Sequence, residues 1–208
     1  MARCGHLQRV WGYVPISRNG PVSGGKSGTG GGVSRMACRS LACCTLDASE
    51  FAGGPLVTLL LIRHAEAGDP TAWAGEDHLR PLSDIGHDQA SRLVALWRNE
   101  PLKRILSSPH TRCVQTMEPL AAVLGLEVEP VDELAEGNAR DALRLVHDIV
   151  GEDAALCTHG DVVPELLQAL ESEGVHILAE WKWRKASTWV LHTENGAITH
   201  ATYVPRPI

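Results

Sequence analysis

The run Leu56-Val57-Thr58-Leu59-Leu60-Leu61-Ile62 is apolar almost without interruption and stops at Arg63-His64. A strand with one wet face alternates apolar and polar residues, whereas a strand covered on both faces does not. The run therefore predicts a central strand of a parallel sheet flanked by helices. Two later apolar stretches follow the same plan. One leads from Arg104-Ile105-Leu106 into Ser107-Ser108-Pro109, the other from Ala154-Ala155-Leu156-Cys157 into Thr158-His159-Gly160.

Helical periodicity fills the intervals. The predicted order is strand 56–63, helix 83–99, strand 102–107, helix 109–124, short strand 126–130, helix 139–150, strand 153–158, helix 161–173, and strands 187–193 and 197–204. Ser108 is the expected N-cap of the second helix, with Pro109 as its first residue. Asn138 is the N-cap candidate of the third, and Gly174 closes the fourth. Glu194-Asn195-Gly196 marks a hairpin turn. The alternation implies a three-layer α/β/α fold whose mostly parallel sheet carries an antiparallel edge.

Ligands of such sheets sit beyond the carboxyl ends of the strands. Arg63 offers a planar fork matched to phosphate oxygens, and a neutral His64 is a nucleophile. Arg112 falls in the first turn of its helix, where free amides also favour an anion. His159 ends a third strand, and Gly160 allows close backbone approach. Each residue has an ordinary reading: a surface ion pair for Arg63, a loop position for His64, an amphipathic helix around Arg112, a structural role for His159. Their recurrence at three strand ends favours one site, with phosphoryl transfer through a phosphohistidine as its chemistry.

Composition narrows the partners. Of 19 basic and 25 acidic residues, 13 and 23 respectively lie from Pro55 onward. An acidic domain argues against nucleic acid, whose affinity rests on neutralised phosphates. No apolar stretch reaches the length of a signal peptide core or a membrane span. The six cysteines fit neither a zinc site nor a disulfide framework, so a cytoplasmic setting is expected, without metal or cofactor. Residues 1–54 are glycine-rich and lack periodicity, which predicts a disordered extension before a single domain at 55–208. Met36 is an alternative start. Gly20-Pro21-Val22-Ser23-Gly24-Gly25-Lys26-Ser27 satisfies the P-loop expression. Gly28-Thr29-Gly30-Gly31-Gly32 follows it and cannot begin the helix that such a loop needs.

Four segments together resemble the histidine phosphatase superfamily of phosphoglycerate mutase-like proteins. They are Arg63-His64-Ala65-Glu66, Arg80-Pro81-Leu82-Ser83-Asp84-Ile85-Gly86, Ser107-Ser108-Pro109 through Arg112, and Thr158-His159-Gly160. The likeness runs over residues 56–204 in family order, with Ala65 where the family usually has glycine. Cys113–Ala122 and Arg184–Leu191 are closest to the phosphatase domains fused behind actinobacterial Nudix hydrolases, although no Nudix box is present. The resemblance implies that His64 is the nucleophile, that Arg63 and Arg112 bind the phosphoryl oxygens, and that His159 stabilises the transition state. It also implies a proton donor in Val131–Gly137. Leu134-Ala135-Glu136-Gly137 favours Glu136 over Glu133, against the plain reading of a solvated acidic loop.

The expected substrate is a nucleotide or other small phosphoester. The alternatives are a phosphohistidine protein and, further off, a non-catalytic phosphate-binding module. Trp181-Lys182-Trp183-Arg184-Lys185 reads either as a substrate rim or as a packed loop with snorkelling cations.

Overall fold

The computed structural model describes residues 57–207, so the expectations for residues 1–54, the P-loop-like segment included, lie outside the described residues. Strands β1 (Val57–Arg63), β2 (Arg104–Ser107), β3 (Val128–Pro130), β4 (Ala154–Thr158), β5 (His176–Ile177), β6 (Thr188–Glu194) and β7 (Ala197–Val204) form a seven-stranded sheet. Their order is β3-β2-β4-β1-β6-β7-β5. β4 pairs in parallel with both β1 and β2, and β3 continues the parallel half beyond β2. β6 runs antiparallel to β1 and β7, and β5 pairs in parallel with β7.

Helices α1 (Asp84–Trp97) and α2 (Thr111–Leu124) cover one face, and α3 (Ala139–Asp148) and α4 (Val162–Ser172) the other. The two cores explain why β1 does not alternate. Leu60 and Ile62 pack with Leu93, Met117 and Leu120, while Leu59 and Leu61 pack with Val146, Leu166 and Leu170. All four β1 side chains are completely buried. Each contributes about 1.5–3 kcal/mol relative to an exposed side chain. The three-layer expectation therefore holds.

Local details differ in three places. Helix α2 begins at Thr111 with His110 at its N-cap and no side-chain cap, not at Ser108-Pro109. Ser108 Oγ accepts from His110 N, at 3.3 Å, just ahead of the helix, and also meets His159 (below). Asn138 does precede α3, but its Nδ2 donates to the Asp132 carbonyl instead of capping. Strand β5 is only two residues long, too short to leave a periodic signal. The hairpin signal succeeded: Asn195 and Gly196 both have positive φ, 53° and 77°, as a type I′ turn requires.

Chain direction opens the site. From β1 the chain passes by α1 toward β2 on one side of the sheet; from the adjacent β4 it passes by α4 toward the β5–β7 side. Such diverging connections leave a crevice beyond the two carboxyl ends. His64 and His159 are the residues that follow there.

Candidate active site

The backbone around His64 is tied on three sides. His64 N donates to the Thr158 carbonyl on β4 at 3.0 Å. The Ala186 amide reaches the carbonyls of Arg63 and His64 at 3.1 and 3.2 Å. To do so Ala186 takes φ 59°, a left-handed conformation that alanine adopts at a cost. Ala65 N donates to Thr116 Oγ1 at 2.9 Å, and that hydroxyl donates to the Arg112 carbonyl at 2.6 Å. One threonine thus couples the His64 loop to the first turn of α2. Ala65 needs no positive φ and buries its methyl in the core, so alanine fits where the family usually has glycine.

His64 has a defined tautomer. Its Nδ1 lies 2.7 Å from the Ala65 carbonyl, which can only accept, so Nδ1 carries the proton and Nε2 is the basic nitrogen. Burial lowers its pKa from 6.5 to about 2, with His159, Arg112 and Arg63 pushing the same way and the Ala65 bond opposing. The imidazole is neutral at physiological pH.

Two arginines flank it. Arg63 Nη1 donates to the Trp183 carbonyl at 2.7 Å, and its guanidinium lies against Gly160. Arg112 is 1% exposed. Its Nη1 lies 2.9 Å from Asp77 Oδ2, and its Nη2 donates to Glu136 Oε2 at 3.0 Å and to His159 Nδ1 at 3.3 Å. The buried Nε atoms of both arginines have no hydrogen-bond partner in the protein, a polarity suited to an anion. His159 accepts at Nδ1 and therefore donates from Nε2 to Ser108 Oγ, at 2.8 Å. Its ring centroid lies 5.4 Å from that of His64.

All five predicted residues, His64, Glu136, His159, Arg63 and Arg112, meet here. A cavity of about 270 Å³ is lined by Arg63, His64, Arg112, Glu136, Gly160 and Asp161, with Arg80 and Lys185 on its rim. Glu133 instead faces a separate surface hollow with Asp141 and Arg144. Four neighbours were given no part in the site from sequence. Arg80 is 8% exposed and donates to Asp77 Oδ1 at 2.9 Å and to the Ala67 carbonyl at 2.8 Å. Asp77 thereby bridges Arg80 and Arg112. His110 packs edge-on against His159 at 4.6 Å, and Ser108 orients His159. The Arg80-Pro81-Leu82-Ser83 motif was the signal for Arg80; Asp77 had none.

His110, Glu136 and His159 bring ligand atoms within 4.8 Å of one another, a candidate metal set that chain spacing did not reveal. Arg112 is bonded to two of the three, and a fixed cation at that distance opposes a metal ion. In the 181–185 segment, the packed-loop reading holds for Trp183, which lies against the α3–α4 core. Lys185 alone of its cations lines the cavity that holds His64, and it pairs with Glu66 at 2.8 Å.

Residues 59–150 match the sequence model of the histidine phosphatase superfamily, branch 1. Over these residues the chain belongs to the histidine phosphatase superfamily. This histidine phosphatase domain is 32% identical over 157 residues to the 8-oxo-(d)GTP phosphatase of Mycolicibacterium smegmatis, a match covering 72% of this chain and 48% of that protein. The chain thus spans about half the length of the curated relative. Among solved structures it is similar to the protein histidine phosphatase SixA complexed with tungstate, with TM-score 0.57, 20% identity, and coverage of 72% of this chain and 96% of that one. A mycobacterial glucosyl-3-phosphoglycerate phosphatase matches with TM-score 0.56 and 17% identity over 71% and 97% of the two chains. At such identities the likeness is one of fold.

Proposed function

We propose that this domain is a metal-independent phosphatase that works through a phosphohistidine on a nucleotide or other small phosphoester. The observation that carries the reading is the state of His64: a neutral imidazole, proton fixed on Nδ1, Nε2 basic, set between two arginines. Nε2 attacks phosphorus and the P–O bond to the leaving group breaks. Arg63, Arg112 and His159 take up the charge on the equatorial oxygens, which is the main demand of phosphoryl transfer. Glu136 protonates the departing alkoxide. Water then attacks the phosphohistidine, Glu136 accepts its proton, and His64 leaves as the neutral imidazole it was. The two arginines supply the positive charge a metal would otherwise bring.

Two observations favour a small ester. The relative from M. smegmatis is named for a nucleotide, and Glu136 stands within reach of the phosphoryl cradle. The likeness to SixA supports a phosphohistidine protein as the second reading. Two buried free thiols, Cys113 and Cys157, suit a reducing cytoplasm.

The test is a trapping experiment in EDTA. Wild type mixed with labelled p-nitrophenyl phosphate and quenched in alkali should carry an acid-labile, alkali-stable phosphoryl group. His64→Ala should carry none and turn over no substrate, with an unchanged circular dichroism spectrum. Residual turnover above a few per cent in His64→Ala, or loss of wild-type activity in EDTA, counts against the mechanism.

A further inference from the structure

A second cavity among the described residues is larger than the catalytic one. It holds about 580 Å³ and is lined by Arg92, Lys182, Arg184 and Arg206, with Asp88 as its one carboxylate. That volume lies in the range of small-molecule sites. The charge stands against the run of the domain, which has 13 basic and 23 acidic residues from Pro55 onward. These four cations, with Arg63, Arg80, Arg112 and Lys185 in the catalytic cavity, are eight of those thirteen. The domain therefore concentrates its positive charge in two adjoining places.

Both places open at one edge of the sheet. β7 runs in the direction of β1, so the segment after it, with Arg206, emerges where His64 does. The first turns of α1 supply Asp88 and Arg92. The 182–184 loop supplies the rest, and all three of its carbonyls are pinned. Trp189 Nε1 donates to Lys182 O at 2.8 Å, Arg63 Nη1 to Trp183 O at 2.7 Å, and Ser187 Oγ to Arg184 O at 2.6 Å. A loop held by its backbone presents its side chains from fixed points, so less backbone freedom is lost on binding. Arg92 pairs with Asp88 at 2.8 Å and Lys182 pairs with Glu180. Among the described residues no carboxylate pairs with Arg184 or Arg206.

We propose that this cavity is a second anion site that takes a small phosphorylated ligand bearing two or more negative charges. Arg184 and Arg206 are its principal contacts. The ligand is either the distal end of a polyphosphorylated substrate or a separate effector, since both present the same phosphate chemistry. Arg63 of the catalytic cavity donates to the carbonyl of Trp183, whose chain neighbours Lys182 and Arg184 line the second cavity.

The experiment is calorimetric titration of the full chain with inorganic pyrophosphate, with tungstate present at saturation to fill the catalytic cavity. One equivalent of pyrophosphate should still bind. The double variant Arg184→Ala/Arg206→Ala, both at surface positions, should weaken that binding at least tenfold with an unchanged melting temperature. Binding that is equal in the variant, or that vanishes once tungstate is present, overturns the proposal. Kinetics separates the two sources. A distal substrate site raises KM for a nucleoside polyphosphate in the variant and leaves p-nitrophenyl phosphate turnover unchanged. An effector site instead makes p-nitrophenyl phosphate turnover respond to pyrophosphate in wild type and not in the variant. Failure of tungstate itself to bind would count against the catalytic reading above, while the double variant still decides this one.

Discussion

A Cβ placed on Gly160 would lie 2.6 Å from Cζ of Arg63, so this glycine is the floor on which the guanidinium rests. Its φ is not in the left-handed region, and the requirement is one of space. Gly160→Ala should push Arg63 off its position beside His64 while leaving the sheet intact. A misplaced anion-binding donor of this kind costs roughly 10²–10³-fold in kcat/KM. The measurement is aryl phosphate turnover beside a thermal melt. Wild-type kcat/KM in a well-folded Gly160→Ala variant would remove Arg63 from the phosphoryl cradle.

His64 makes stability depend on pH. Its value falls from 6.5 to about 2 on folding, chiefly through burial, so between those limits the unfolded chain binds a proton that the fold excludes. Stability from this group is complete above about pH 6.5 and is lost as pH falls toward 2. From about pH 7 to about pH 5 the loss is about 2 kcal/mol. His110 and His192, also lowered by burial, act in the same direction. Urea denaturation at both pH values should show a gap about 2 kcal/mol smaller in His64→Gln than in wild type. An unchanged gap would mean that His64 is protonated within the fold.

Glu136 gives a graded kinetic forecast. Its carboxylate is bonded to Arg112 at 3.0 Å, on the side of the cavity open to solvent. Glu136→Gln should slow alkyl phosphates, whose leaving groups need a proton, by roughly 10²–10⁴-fold. Aryl phosphates should change far less, and so should a phosphohistidine substrate. Glu133→Gln is the control and should do little, because Glu133 faces a different hollow. If the dependence on leaving group follows Glu133, the proton donor has been misassigned. If it follows neither, the small-ester reading loses its chemical support.

Much of the site was legible because its members sit at strand ends. His64 and His159 each follow a fully buried apolar run, and the end of such a run can be read from a few consecutive letters. Ser108 shows the limit of that reading. Its type and its place before Pro109 suit a helix cap, and its hydroxyl does accept from His110 N at 3.3 Å, yet it also meets His159, 51 residues away. The same hydroxyl serves a local bond and a long-range one, and no local pattern could report the second.

By itself the sequence determined the covered central strand, the alternation that builds the three layers, the hairpin turn at Asn195-Gly196, and which residues stand at the carboxyl edge. These follow from periodicity and from backbone conformations accessible to particular residues. Only the tertiary structure decided that Asp77 bridges Arg80 and Arg112, that Glu136 and not Glu133 reaches the cradle, that β5 joins the sheet, and that the cations of the 182–185 loop divide between two cavities. Each of these depends on where segments far apart in the chain come to rest and on how far a side chain then extends. Neither quantity is carried by the order of residues within a single element.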